Sequence, residues 1–238
     1  MSFLVPKSLI RIKQIIAVTG LFLIFFVVAH LAGNLTFFAG ADVFNGYAKK
    51  LQNMRPFLNF FEFVLFLIFI FHMYLTVFLI IRKRKVRPVK YSVQKSSAQR
   101  SFSSRLMTLT GPIIFIYIVL HLLDYTFSSH EGQATVVNGK SLGLYGLVFN
   151  SFSSLRHSLW YIFSMVAVGL HLDHGFQSFF QTFGIYSSKY GGFLKKFSRI
   201  FSICITLSYV TIPIYAYFLN HYGNDQVIKV GVLDESKL

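Results

Sequence analysis

Four histidines stand singly within long apolar stretches of the chain: His30, His72, His121 and His171. Histidine is costly in a hydrocarbon environment, so such a residue usually has a partner that compensates for its polarity. That partner can be another helix, reached by a hydrogen bond, or a bound metal. We take these four residues as the candidate site because they occur in four successive apolar stretches.

The composition around these histidines is that of a membrane protein. Of the 238 residues, 54% are hydrophobic and only 13% are charged, which excludes an ordinary soluble domain. A helix crosses the bilayer in about 20 residues, and five stretches are long enough to do so. They lie at about residues 10–33, 56–81, 106–127, 154–183 and 197–219.

We therefore predict an all-α integral membrane protein with five transmembrane helices, the first four of which form a bundle around the histidines. Residues 1–220 make a single transmembrane domain in this interpretation, and residues 221–238 form a polar C-terminal tail. The one cysteine, Cys204, lies in an apolar stretch, so no disulfide framework is expected.

The net charge of +15 could indicate a nucleic-acid partner, but its distribution indicates membrane topology instead. The N-terminal segment and the segments 82–105 and 189–199 hold 16 of the 23 lysines and arginines. We therefore expect a cytoplasmic N-terminus, an outer C-terminus and no nucleic-acid partner. The segment 82–105 is either a plain topology signal or a docking surface for a soluble partner, and the sequence leaves both open.

This topology sorts the four histidines into two pairs by depth. The first and third helices run outward, which places His30 and His121 near the outer face. The second and fourth helices run inward, which places His72 and His171 nearer the inner face. At about 1.5 Å of rise per residue, the two levels differ by roughly 10–15 Å.

An internal repeat supports the outer pair. The first helix reads Thr19-Gly20, nine further residues, and then His30; the third helix reads Thr110-Gly111, nine residues, and then His121. A small residue at this place lets a flat group or a neighbouring helix approach the backbone.

Two histidine pairs at two depths indicate haem rather than zinc. Zinc prefers four ligands that converge at one point, often including thiolates or carboxylates. Two separated pairs suit two haem irons, each held axially by two imidazoles, and no C-x-x-C-H motif for covalent attachment occurs. We therefore expect two b-type haems, one held by His30 and His121 and the other by His72 and His171.

Other polar residues are secondary candidates. Glu62 is an intramembrane carboxylate that could handle protons for a quinone, although it could also face the water interface. Arg156 and His157 could contact a propionate of the outer haem or be ordinary interfacial residues. His174 could replace His171 as ligand, since it lies three residues further along the helix.

Two aspartates close to the histidines are not included in the predicted site. Asp124 follows His121 by three residues and Asp173 follows His171 by two. Because both are near predicted helix ends, we expect them to face solvent.

Several short motifs together resemble a known family. They are Thr19-Gly20 with His30-Leu-Ala-Gly-Asn34, the segment Asn45-Gly-Tyr47, Thr110-Gly111 with His121, and His171-Leu-Asp-His174-Gly175. The chain is similar in these to the di-haem cytochrome b membrane anchor of succinate:quinone oxidoreductases. In that family five helices carry two b haems, and the ligands come from the first four helices. The resemblance implies the same four histidines as ligands here.

The resemblance also implies a function. A flavoprotein subunit would oxidise succinate in the bacterial cytoplasm, and an iron–sulfur subunit would relay electrons to this anchor in the inner membrane. The anchor would pass them through both haems to a quinone, menaquinone, near the outer face, or run the path backwards for fumarate reduction. It would catalyse no succinate chemistry itself. A dimer of heterotrimers is the implied assembly.

The resemblance leaves one proton route open to question. Some members use a glutamate two residues before the fourth ligand for proton movement, and here that position is Gly169.

Two other functions remain as alternatives. The chain could be the cytochrome b anchor of another membrane redox complex, of the hydrogenase or formate dehydrogenase type. It could also be a haem-free transporter or intramembrane enzyme, which the absence of G-x-S-x-G and H-E-x-x-H motifs disfavours.

Overall fold

The computed structural model describes residues 8–86, 102–129, 131–187 and 189–223. Two parts of the sequence-based interpretation lie outside these residues. One is the predicted C-terminal tail from residue 224 onward, and the other is the middle of the basic segment, residues 87–101.

Helices dominate the described part of the chain. They are α1 (Leu9–Leu35), α2 (Ala41–Gln52), α3 (Phe57–Val86), α4 (Phe102–His121), α5 (Gly143–Ser151), α6 (Leu155–Thr182) and α7 (Gly191–Tyr222). Five of them, α1, α3, α4, α6 and α7, correspond to the long predicted helices. A π-helical turn, Leu122–Thr126, continues α4.

Four helical segments are long and apolar enough to cross a membrane: Leu9–Ala39, Phe57–Lys83, Phe102–Thr126 and Gly191–Tyr222. They present large aromatic side chains outward, such as Phe25 at 63% exposure. Exposed apolar faces of this extent suit a lipid environment and not water. The chain is therefore a mostly helical, multi-pass membrane protein.

The prediction of five spans is met for only four helices, because α6 is too polar. Its length is sufficient, but Ser158, Ser164, Asp173 and Gln177 are all buried within it. These residues are hidden because α6 packs against α1, α4 and α7. A helix surrounded by protein need not be apolar throughout, since its polar side chains find partners on neighbouring helices.

The close packing of α6 on α7 depends on Gly169. A Cβ atom at this position would lie 1.9 Å from Thr206 Oγ1 of α7. Position 169 is therefore a close contact between helices, and any side chain there would displace Thr206.

Short elements at one end of the bundle were not predicted. They are the helices α2 and α5 and a small antiparallel hairpin, in which Val136 pairs with Ser141 and Val137 with Lys140. The described chain is mostly helical, as predicted, and this hairpin of two-residue strands is an addition to it. We call these elements the cap: α2, α5 and the hairpin strands β1 (Val136–Val137) and β2 (Lys140–Ser141).

The cap has its own aromatic core. Phe37 lies just after α1 and contacts Phe44 of α2, with ring centres 5.6 Å apart, and Tyr145 of α5, at 4.5 Å. Burial raises the pKa of Tyr145 to about 12, so its phenol stays neutral. Phe149 and Val137 complete this cluster, which continues into α7.

Asparagine side chains hold the cap together and connect it to the bundle. Asn45 of α2 donates to the Leu142 carbonyl (2.9 Å) and accepts from the Tyr145 amide (3.0 Å), which joins α2 to the start of α5. Asn220 of α7 donates to the Phe149 carbonyl at 2.8 Å and so joins the bundle to the cap. These amide groups satisfy backbone groups that would otherwise be unpaired.

The contact of α5 with Thr135, the residue just before the hairpin, generates a test of the cap. A Cβ atom at Gly146 would lie 2.1 Å from the Thr135 carbonyl oxygen, so Gly146→Ala must shift backbone. We expect a loss of about 1–3 kcal/mol in the free energy of unfolding, the usual cost of overpacking.

Gly46→Ala is the matched control for this prediction. Nothing lies within 4 Å of a Cβ atom there, and alanine favours a helix over glycine by up to about 1 kcal/mol. Unfolding of both variants is measured in detergent. A Gly146→Ala protein as stable as the control would contradict the described packing of the cap.

Candidate functional site

His30 and His121 come together from different helices. The centres of their rings are 5.8 Å apart and the ring planes are nearly perpendicular, at 88°. His30 comes from α1 and His121 is the last residue of α4. Phe26 stacks on His30 and Tyr117 stacks on His121, with ring centres 5.4 and 5.6 Å apart. The two imidazoles are therefore held within an aromatic wall.

His72 and His171 are each next to a threonine of another helix. The Nδ1 atom of His72 lies 2.9 Å from the Oγ1 atom of Thr19, and the Nδ1 atom of His171 lies 3.2 Å from that of Thr110. His171 also interacts electrostatically with His72. The structure thus places these two histidines at the same end of α1 and α4, at the level of the two threonines.

The internal repeat has a spatial meaning. On both α1 and α4, the threonine beside one histidine pair precedes a histidine of the other pair by eleven residues. At 1.5 Å per residue this separates the two levels by about 16 Å, close to the upper limit of the sequence-based expectation. Each repeat helix therefore contacts both sites.

The two repeat glycines have different surroundings. A Cβ atom at Gly20 would lie 3.2 Å from the Cε1 atom of His72, whereas nothing lies within 4 Å of one at Gly111. Gly20 thus admits a neighbouring imidazole close to the backbone.

Four buried polar atoms have no hydrogen-bond partner within the described part of the chain: His121 Nδ1, His157 Nε2, Trp160 Nε1 and Ser164 Oγ. Residues 157, 160 and 164 share a helix face with His171, because they follow the i, i+3, i+7 spacing of α6. A buried polar atom without a partner costs about 1–3 kcal/mol. This face of α6 therefore suits a ligand with polar groups.

The His30–His121 pair has the spacing of the axial ligands of a haem. Two imidazoles on opposite sides of one metal ion have ring centres roughly 6 Å apart, given metal–nitrogen bonds of about 2 Å. The His30–His121 distance agrees with this value, and it also suits a simple edge-to-face contact. Among the described residues no three side chains of His, Cys, Asp or Glu converge, so each site offers two imidazoles and not a zinc-type set.

Glu62 faces away from the described bundle. Its side chain is 53% exposed and lies 3.5 Å from the Arg55 guanidinium, which also bonds Asn59. This matches the water-interface alternative for Glu62 and gives no contact with either histidine pair. Arg156 is likewise exposed, while His157 is partly buried and stacks on Tyr161 with ring centres 4.6 Å apart.

Asp124 belongs to a polar network that the sequence interpretation missed. The Tyr161 hydroxyl donates to its Oδ2 atom at 2.7 Å, and His157 Nε2 lies 3.7 Å from the same oxygen. The Tyr161 ring is also 6.2 Å from the His121 ring. The expectation that Asp124 faces solvent is therefore wrong, and its spacing of three residues from His121 was the available signal.

Asp173 is also buried, contrary to expectation, at 7% exposure. It accepts hydrogen bonds from Ser103 of α4 (2.7 Å) and Gln177 of α6 (2.6 Å). Asp173 lies two residues after His171 on α6. Its bond with Ser103 therefore fixes the part of α6 that carries His171 against α4.

Comparisons of the chain with protein-family models, with curated proteins and with solved structures found no match.

The buried Asp173 leads to a stability prediction. Asp173→Ala leaves the Ser103 and Gln177 donors without their acceptor, so we expect a loss of about 1–3 kcal/mol in the free energy of unfolding. Asp173→Asn keeps an acceptor oxygen and should lose less. Glu131→Ala, at an exposed loop position, is the control, and equal stability of the alanine variants in detergent would contradict this role.

Proposed function

We propose that the chain is the membrane anchor and electron conduit of a succinate:quinone oxidoreductase, that is, of a succinate dehydrogenase or fumarate reductase. It would pass electrons from an iron–sulfur subunit through two b haems to a quinone, menaquinone. The observation that carries the proposal is the arrangement of four partly buried imidazoles at two levels of the bundle. The rings of His30 and His121 lie next to each other, and His72 and His171 lie beside threonines at one level of α1 and α4.

His30 and His121 would hold one haem, and His72 and His171 the other. When bound, the haems supply two one-electron redox centres within the bundle. The helices provide the ligands, the aromatic wall around His30 and His121, and the exclusion of water. We also propose that α6 is a fifth span, because its polar residues face α1, α4 and α7.

The end of the bundle opposite the cap is the proposed docking surface for the soluble subunits. Exposed basic residues occur there at the start of α1 and α7, at the end of α3 and at the start of α4. They are Arg11, Lys13, Lys83, Lys85, Arg105, Lys195, Lys196 and Arg199. In this proposal that end is cytoplasmic in a bacterial inner membrane, the flavoprotein and iron–sulfur subunits bind there, and the heterotrimers dimerise.

The cap end is the proposed side of quinone chemistry. Reduction of a quinone consumes protons as well as electrons, so a protonatable group is needed near the His30–His121 pair. Asp124 meets this need better than Glu62 does. It lies on the turn that follows His121, is 32% exposed, and contacts both Tyr161 and His157.

Spectroscopy tests the haem assignment. The purified chain should show a b-type α-band in a reduced-minus-oxidised spectrum, with two haems per chain. His72→Ala or His171→Ala should remove one haem, and His30→Ala or His121→Ala the other, because a single imidazole cannot supply both axial ligands.

His221→Ala is the control for these variants, since His221 is exposed and bonds only the Tyr217 carbonyl among its described contacts. It should retain both haems. Absence of the α-band would contradict the haem assignment and favour a haem-free transporter. A haem protein that co-purifies with hydrogenase or formate dehydrogenase subunits would instead favour the other anchor class.

The quinone assignment has a separate test, in the complex purified with its partner subunits. Asp124→Asn preserves the shape of the side chain but cannot exchange a proton near neutral pH. We expect succinate-dependent reduction of a soluble naphthoquinone to fall at least about tenfold, since a positioned proton donor contributes this much or more. Both haems should remain bound.

Glu62→Gln is the matched comparison for Asp124→Asn, because it makes the same chemical change in an exposed carboxylate. Its turnover should stay close to that of the unmodified complex. The reverse result, a loss with Glu62→Gln alone, would return the proton-handling role to Glu62.

A further inference from the structure

The Thr19 hydroxyl is placed to donate to the backbone and to accept from His72 at the same time. Its Oγ1 atom lies 2.9 Å from the Ile15 carbonyl oxygen and 3.1 Å from that of Ile16. When the hydroxyl donates to one of these carbonyl oxygens, its own oxygen can only accept from a further group. In that arrangement the contact of 2.9 Å with His72 Nδ1 is a bond in which the imidazole N–H donates and the threonine oxygen accepts.

Thr110 repeats this arrangement on α4. Its Oγ1 atom lies 3.3 Å from the Met107 carbonyl oxygen and 3.2 Å from the Nδ1 atom of His171. In the same arrangement, His171 Nδ1 carries the hydrogen that the Thr110 oxygen accepts. Two copies of one geometry, on two helices that share the Thr-Gly repeat, support each other.

A hydrogen on Nδ1 determines what the other ring nitrogen can do. In neutral imidazole one nitrogen carries the hydrogen and the other keeps a free lone pair. The bond to threonine therefore leaves Nε2 of both His72 and His171 as the metal-binding atom. It also turns the ring, because the Nδ1–H bond must point at a fixed hydroxyl.

Both hydroxyls are well placed to hold a ring still. Thr19 is 9% exposed and Thr110 is 3% exposed, so water does not compete for the bond. A threonine whose Oγ1 bonds the preceding helical turn has a restricted χ1 angle. At Gly20 the backbone has no Cβ atom, which lets the His72 ring approach the threonine closely.

We propose that Thr19 and Thr110 are positioning residues of the His72–His171 pair, which set the Nδ1–H tautomer, the ring orientation and the electron-donating strength of both imidazoles. For its effect on haem this inference rests on the proposed function. It extends that function, because α1 and α4 then each have two roles. Each would supply one ligand to the haem of the His30–His121 pair and one hydroxyl that orients a ligand of the other haem.

The first test is electrochemical and uses the purified full chain. Thr19→Val and Thr110→Val keep the side-chain shape and remove the hydroxyl. Loss of the threonine acceptor leaves His72, among its described hydrogen bonds, only its bond to the Ile16 backbone and makes Nε2 of the affected imidazole a weaker electron donor. The haem of the His72–His171 pair should therefore shift to a higher midpoint potential. Its low-spin EPR signal should change as well, whereas the other haem should keep both properties.

Serine variants and a distant threonine separate the hydroxyl from the side-chain shape. Thr19→Ser and Thr110→Ser should restore the original potential and EPR signal. Thr211→Val should change neither, because the Thr211 hydroxyl bonds the Ser208 carbonyl (2.7 Å) in the same way but is at an exposed position of α7.

Three results of these measurements on the haem protein would overturn the inference. They are unchanged potentials in both valine variants, shifts in different haems for Thr19→Val and Thr110→Val, and loss of haem in the serine and valine variants alike. Loss of one haem in the valine variants with retention in the serine variants would support it, since only the hydroxyl then differs.

A second measurement needs no haem. Nitrogen NMR of the full chain with ¹⁵N-labelled histidine, in lipid bilayers, reports which ring nitrogen carries the hydrogen. This measurement can be made on a chain that shows no b-type α-band. A hydrogen on Nδ1 of His72 and His171 would support the tautomer assignment if, in the valine variants, that hydrogen is shared between both ring nitrogens. A hydrogen on Nε2 in the unmodified chain would overturn it, so this result separates failure of the inference from failure of the haem assignment.

Discussion

The structure depends on how the polar ring atoms of four imidazoles inside an apolar bundle find partners. A polar group removed from water and left without a partner costs several kcal/mol in a hydrocarbon environment. His72 and His171 reach threonine hydroxyls on neighbouring helices. His30 and His121 pack edge to face, and His121 Nδ1 has no hydrogen-bond partner among the described residues. Each contact joins residues far apart in sequence, so it constrains the relative height of α1, α3, α4 and α6 as well as the site itself.

The same constraint explains why α6 differs from the other long helices. Lipid surrounds much of α1, α3, α4 and α7 in the proposed arrangement, so these helices are apolar and aromatic on their outer faces. Helix α6 packs against three of them and carries the polar residues that the interior needs. Asp173 joins it to α4 through Ser103, and Gly169 lets it approach α7. Its lower hydropathy is therefore a consequence of its central position.

The cap gives the two ends of the bundle different character. One end carries an aromatic core with hydrogen-bonded loops, next to the His30–His121 pair and the Asp124 network. The opposite end carries exposed basic side chains on four helices. The proposed function would use this asymmetry, because the partner molecules in that proposal reach the protein from different sides of the membrane.

The sequence by itself was sufficient to predict the long helices, and it singled out the four histidines as candidates. Hydropathy over about 20 residues is a local property, and a single histidine in an apolar stretch is conspicuous. The same reasoning missed α2, α5 and the hairpin, whose short segments have no strong period. It also misplaced Asp124 and Asp173, since both lie near helix ends where solvent is the default expectation.

Only the tertiary structure decided which way the polar side chains point. Glu62 turns outward to Arg55, whereas Asp124 turns inward to Tyr161. Asp124 lies in the π-helical turn that follows His121, and such a turn changes the direction in which its side chains point. The Thr-Gly repeat was visible in the sequence as a spacing of residues. Its physical meaning, a hydroxyl that meets the imidazole of another helix, depends on contacts between residues 53 and 61 positions apart, and no local pattern encodes such contacts.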